Sequence, residues 1–169
     1  MKIDLQLNVQ DLKSSIDRFW LLSSQKISAI ESNFDPKRGA PVFTINGKYS
    51  TRGWTEWTQG FQYGSSLLQY DATGDKKFLE TGRKNTIERM APHLTHAGVH
   101  DHGFNNISTY GNLRRLMIEG KIDHNAAEKS TYELALKVTG AVQPMRWTTI
   151  KGCGFIYSFN GPQSLFVDT

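Results

Sequence analysis

The chain has 169 residues, 38% of them hydrophobic and 21% charged, with 20 basic against 16 acidic side chains and a formal net charge of +4. This is the make-up of a soluble globular protein, one domain with a sizeable core or part of one. The basic residues are scattered, with short runs only at Lys37-Arg38, Lys76-Lys77 and Arg114-Arg115, so the stripe that a nucleic-acid partner requires is absent.

In chain order, Leu12, Ile16, Phe19, Trp20, Ile27 and Ile30 recur at helical spacing and predict an amphipathic helix over residues 9–31. Asp35-Pro36 breaks it, and Val42-Phe43-Thr44-Ile45 before Asn46-Gly47 is a short β-prone run ending in a turn. A second helix is predicted over residues 56–70, stopping at Ala72-Thr-Gly74 with the glycine as C-terminal cap. Asp75 reads as the N-cap of a third, which runs to about Met90 and ends before Pro92. Within the second helix, Gly60 and Gly64 lie four apart on one face, where they would let another helix approach closely.

A connection over residues 92–106 follows. Ser108 is placed to cap a helix through Leu113, Leu116 and Met117 to Gly120, and residues 125–138 predict another that closes with Gly140. Residues 141–162 read as a long loop with short extended pieces. The lone Cys153, between glycines and without an activating neighbour, reads as a buried structural thiol. Repeated helix and loop give an all-α fold class, a toroid of helical hairpins in which sites form where loops converge, with residues 1–169 as one domain. The apolar Ser164-Leu-Phe-Val-Asp168-Thr169 resembles the start of a further helix, so the chain is expected to hold an incomplete structural unit. No signal-peptide core or membrane-spanning run is present, which predicts a cytoplasmic protein, or a periplasmic one if a leader has been removed, with no membrane partner.

The densest chemistry is His93-Leu-Thr-His-Ala-Gly-Val-His-Asp-His102, which holds four of the five histidines and Asp101. Imidazoles titrate near neutrality and ligate metals, so His93, His96, His100 and His102 with Asp101 form one candidate zinc set. No HExxH helix or CxxC pair supports it, and His93 and His96 read more simply as hydrogen-bonding supports of the loop. The other reading makes Asp101 central, on a loop tightened by Gly103, with His100 and His102 on opposite sides of an extended backbone. Asp168, after an apolar run, is the second candidate carboxylate: lost hydration would raise its pKa, although simple N-capping also accounts for it. Trp54, Trp57, Phe61, Tyr63, Trp147, Phe155, Tyr157 and Phe159 are of the type that stacks on sugar rings, with most of them expected in the core.

Several of these motifs stand in register. Trp57-Thr-Gln-Gly-Phe61, Gly64, Leu67-Leu68, Tyr70, Thr73-Gly-Asp75 and Phe78, then His100-Asp101-x-Gly103-Phe104, Gly154-x-Ile156-x-Ser158 and Val167-Asp168, together resemble glycoside hydrolase family 88. These are the unsaturated glucuronyl hydrolases; the rhamnogalacturonyl hydrolases are a more distant likeness. The resemblance implies the first half of an (α/α)6 toroid, no metal or other cofactor, and an oligosaccharide partner ending in an unsaturated uronic acid. It implies hydration of the C4=C5 bond, with Asp168 as acid/base and Asp101 as its partner. Trp57, His100, Phe159 and Gln59 would then be the substrate-binding residues.

Phe159 stands near a place where the family carries Trp, and His102 replaces an apolar residue, so the chain departs from the pattern and leaves open whether the uronate is unsaturated or saturated. By this reading residues 1–169 alone have weak or no activity. A zinc hydrolase and a non-catalytic carbohydrate-binding fragment are the alternatives. The polymer, its linkage and the oligomeric state are not legible.

Overall fold

The computed structural model describes residues 6–52 and 57–165, and the chain divides into two units, residues 1–34 and 35–169, where the sequence reading has one domain. Among the described residues the protein is predominantly helical, with two small β-hairpins.

In the first unit, Asn8 and Asp11 cap each other around a 3-10 turn, Val9–Leu12, which leads into α1, Lys13–Asn33. The reciprocal side-chain bonds fix where the helix starts, four residues later than the periodicity suggests. None of the described residues of α1 is buried.

The second unit opens with the hairpin β1, Pro41–Ile45, and β2, Lys48–Thr51, paired antiparallel. Asn46 and Gly47 both take positive φ, 51° and 73°, as the tight turn predicted there demands. Next come α2, Thr58–Thr73, and α3, Lys76–Arg89, joined by Gly74 and Asp75. Gly74 is left-handed (φ 72°) and its N–H donates to Tyr70 O, while the Asp75 side chain accepts from Lys77 N. Both caps are therefore as the sequence reading has them.

The largest departure lies after the histidines. Instead of a loop to Asn106 and a cap at Ser108, a π-helical segment, Gly103–Gly111, starts directly after His102 and continues as α4, Asn112–Ile118. Ser108 thus lies inside a helix. A wide π turn is an uncommon, poorly self-stabilised conformation, so outside contacts must hold it, and α2 supplies them. A Cβ at position 60 would fall inside the radii of Phe104 O and the Asn105 Cα, and one at position 64 would come 2.5 Å from Ser108 O. The glycine pair brings two backbones to a separation that no side chain permits, which bears out its predicted use. Asn105 returns the contact, its Oδ1 accepting from Gly60 N at 2.9 Å. Trp57 at the N-cap of α2 makes no side-chain cap bond, so Asn105, 45 residues along the chain, satisfies an orphan first-turn N–H.

α5, Ala126–Val142, is capped by Asn125, whose Oδ1 accepts from Ala127 N and Glu128 N. It runs through Gly140 rather than ending there, then tightens into the 3-10 turn Gln143–Arg146. The predicted loop over residues 141–162 is ordered as β3, Trp147–Ile150, paired antiparallel with β4, Cys153–Ile156. Cys153 is exposed, not buried: it pairs with Ile150 beside the hairpin turn, where a two-stranded ribbon has no layer above it. The core gathers Leu67 of α2, Met90, Leu113 and Leu116 of α4, and Tyr132 of α5.

Candidate functional site

The histidine connection lies between α3 and the π-helical segment, and its fate is set by what its ring nitrogens meet. His93 is 2% exposed, and its Nε2 is 2.6 Å from Gln59 Oε1. An amide oxygen only accepts, so this nitrogen carries the proton. Gln59 in turn donates from Nε2 to Tyr63 OH at 3.3 Å. Gln59, expected against substrate, is itself only 6% exposed and has both ends committed inside the protein.

His102 is 3% exposed and uses both nitrogens. Nε2 lies 2.8 Å from His96 O, an obligatory acceptor, so the proton sits on Nε2. Nδ1 must then accept from the Thr139 hydroxyl at 2.6 Å, while Asn106 Nδ2 donates to Thr139 Oγ1 at 2.7 Å. Every proton in this chain has one consistent direction, and it binds the loop to α5 and to the π-helical segment. The backbone at His102 is helical (φ −60°, ψ −35°), and the expected extended strand with His100 and His102 on opposite sides is not formed. The helix that begins here overrides it, with Asn105 N donating to Asp101 O at 3.1 Å.

With His93 and His102 so engaged, the four imidazoles do not converge. Among the described residues no group of three or more His, Cys, Asp or Glu side chains is placed to hold a metal ion, which corrects the zinc set read from spacing. His93 and His96 instead support the loop, His93 through Gln59 and His96 through its carbonyl.

Burial, reinforced by the charges His96 and His102 would carry, pushes the His93 imidazole down from 6.5 to about 4, and burial likewise lowers His102. His93 is therefore neutral when folded but takes up a proton below about 6.5 when unfolded. Stability is undiminished by this group above that pH, falls between about 6.5 and 4, and loses nothing further below. The loss is on the order of 3 kcal/mol. Urea unfolding at pH 7 and pH 4.5 should show it, and in His93→Gln the difference between the two midpoints should shrink. An equal difference in both proteins would contradict the assignment.

His100 is buried as well, its side chain 4% exposed, and Asp101 beside it is less so. Asp101 has a side chain 13% exposed, and its Oδ1 lies 3.6 Å from His100 Nε2, longer than a hydrogen bond but within charge-pair reach. The His100 ring stacks on Phe159 with centroids 6.0 Å apart and planes 13° from parallel. Gln143 Nε2 donates to His100 O at 3.2 Å and steadies the same residue from the end of α5. Phe159 is 59% exposed, so one face of this pair is open. Trp57 packs edge-on to Phe61 at 5.7 Å and to Phe104 at 6.1 Å, and Trp57 and Phe61 remain 44% and 43% exposed.

The aromatics were expected mostly in the core. Of the eight, Trp54 lies outside the described residues, and among the others Tyr63 alone is buried. The chain matches no family model, no curated protein and no solved structure.

Asp101, His100 and Phe159 are thus brought together, with Phe104 one helical turn beyond Asp101 extending toward Trp57. Gln59 is withdrawn into the protein. Asp168 lies outside the described residues. Sequence reasoning missed Arg146, which is 3% exposed and donates to backbone carbonyls of both the histidine connection and the segment after β4. Its only signal was an arginine inside the predicted loop over residues 141–162, which is rich in aromatics. Among the described residues no helix is long and apolar enough to cross a membrane.

Proposed function

We propose that this chain is part of a hydrolase that removes a terminal unsaturated uronic acid from oligosaccharides by hydrating its C4=C5 bond, on a half-toroid of helical hairpins. The observation that carries the reading is Asp101, a partly exposed carboxylate beside His100, whose ring stacks on the open Phe159. A carboxylate next to an aromatic face suits a sugar ring, with its apolar C–H faces and polar rim.

The substrate is an enol ether. A carboxylic acid gives its proton to C4, and water adds to C5 as the same carboxylate takes a proton from it. The net change is addition of one water, giving a hemiketal that opens and releases the next sugar. Asp168 is the acid/base in this scheme, and Asp101 binds ring hydroxyls and offsets the positive charge that develops at C5 and the ring oxygen. His100, Phe159 and Trp57 hold the ring. Gln59 acts at one remove, through His93.

The conjugated C4=C5 carboxylate absorbs in the ultraviolet, and lyase-generated disaccharides should lose that absorbance with the full-length protein. No loss at any pH between about 5 and 8, where a carboxyl pair of this kind operates, would refute the reading. Binding of the disaccharide without loss would instead indicate a carbohydrate-binding module.

A further inference from the structure

Arg146 is a buried charge that the proposed reaction does not use. It ends the 3-10 turn after α5 and is 3% exposed. A guanidinium stays protonated and presents five N–H donors in one plane, so its burial is tolerated where acceptors meet that fork. Among the described residues no carboxylate pairs with it; backbone carbonyls do the work. Nη1 donates to Ala97 O at 2.7 Å, Nε to Tyr157 O at 3.0 Å and Nη2 to Ser158 O at 2.7 Å. The guanidinium carbon also lies 4.4 Å from the centre of the Tyr157 ring, and Tyr157 N donates back to Arg146 O at 3.0 Å.

These carbonyls belong to two segments far apart in the chain. Ala97 lies in the histidine connection, 49 residues before Arg146, three positions ahead of His100. Ser158 follows β4 and directly precedes Phe159. Each segment thus carries one ring of the stacked pair, and the guanidinium links their backbones.

We propose that Arg146 is a positioning residue which, by clamping Ala97 to Tyr157 and Ser158, sets the His100–Phe159 platform beside Asp101 on which the uronoside ring stacks. The assignment rests on the uronoside reading for its ligand but on backbone geometry for its mechanism. Lysine cannot replace it: a compact ammonium on a flexible stem lacks the planar fork whose Nε, Nη1 and Nη2 each reach a different carbonyl. An apolar residue of similar size leaves those carbonyls buried and unpaired.

Arg146→Lys and Arg146→Met in the full-length protein test this by steady-state kinetics on the lyase-generated disaccharide and by backbone hydrogen exchange. A mis-set platform weakens ground state and transition state alike, so in Arg146→Lys KM should rise on the order of tenfold with kcat held within about twofold. Amides of residues 96–102 and 157–164 should lose protection together, while those of α2 keep theirs. A residue that merely supports the fold would reduce the amount of active enzyme, so apparent kcat would fall at unchanged KM; that result overturns the proposal. If the wild-type protein shows no turnover, the uronoside reading fails by itself and exchange decides the clamp. Protection lost in one segment alone, or equally in all helices, then overturns it. Arg146→Met, should it fold, is expected to exceed Arg146→Lys in both measures; if it does not fold, Arg146→Lys decides alone.

Discussion

Asp101→Asn should lower kcat on the unsaturated disaccharide by roughly 10²–10⁴-fold, the range over which a positioned acid/base pair acts. The substitution keeps the shape of the side chain and removes its charge. In the proposed reaction, protonation of C4 leaves positive charge shared between C5 and the ring oxygen. A carboxylate whose side chain is 13% exposed is partly withdrawn from water and interacts with that charge more strongly than a solvated one. The open Phe159, stacked on the buried His100, would still hold the ring, so KM should change less than kcat. Circular dichroism should match the wild type. Asp168→Asn should cost at least as much, and the double variant little more than the worse single one, because residues that act as a unit are not additive. A kcat within about threefold of wild type in Asp101→Asn would remove Asp101 from the machinery.

Gly60→Ala should destabilise the fold by about 3 kcal/mol or more, against a usual overpacking cost of about 1–3 kcal/mol. Two effects oppose each other. Alanine favours the helix by about 1 kcal/mol over glycine in a helix interior. The new methyl, however, would overlap Phe104 O and the Asn105 Cα, with Asn105 O 2.8 Å away. Those are backbone atoms of the π-helical segment and cannot rotate aside, so the two helices must separate. Separation also breaks the bond from Gly60 N to Asn105 Oδ1. Gly103→Ala is the control: nothing lies within 4 Å of a Cβ there, and the change should be neutral or stabilising by up to about 1 kcal/mol. Urea unfolding of the two variants separates the terms. Equal midpoints would show that the close approach of the backbones contributes nothing.

The elements that were legible in the sequence are those whose signal is local. Gly74 and Asp75 mark the ends of α2 and α3 because a left-handed C-cap and an Asp N-cap act through bonds within a few residues. The Asn46-Gly47 turn is of the same kind. The glycine pair at positions 60 and 64 was legible too, as a repeat on one helical face.

The start of the helix after the histidines was not. Ser108 looks like a cap, but the π-helical segment from Gly103 is held from outside, by the glycine face of α2 and by Asn105 reaching Gly60. Cys153 and the exposed aromatics failed for a related reason, since residue type gives a tendency to be buried while the position of the covering layer decides it.

In the candidate site, the sequence by itself determined that four imidazoles and a carboxylate stand within ten residues, because composition and spacing are covalent facts. It could not divide them. The tertiary structure made that division: His93 and His102 are held by Gln59 and Thr139, while His100, buried as well, stacks on the exposed Phe159 and Asp101 is left partly exposed. The physical reason is that a ring nitrogen's role depends on the donor or acceptor it meets. Those partners lie 34, 37 and 59 residues away along the chain, as positions 59, 139 and 159 stand from 93, 102 and 100.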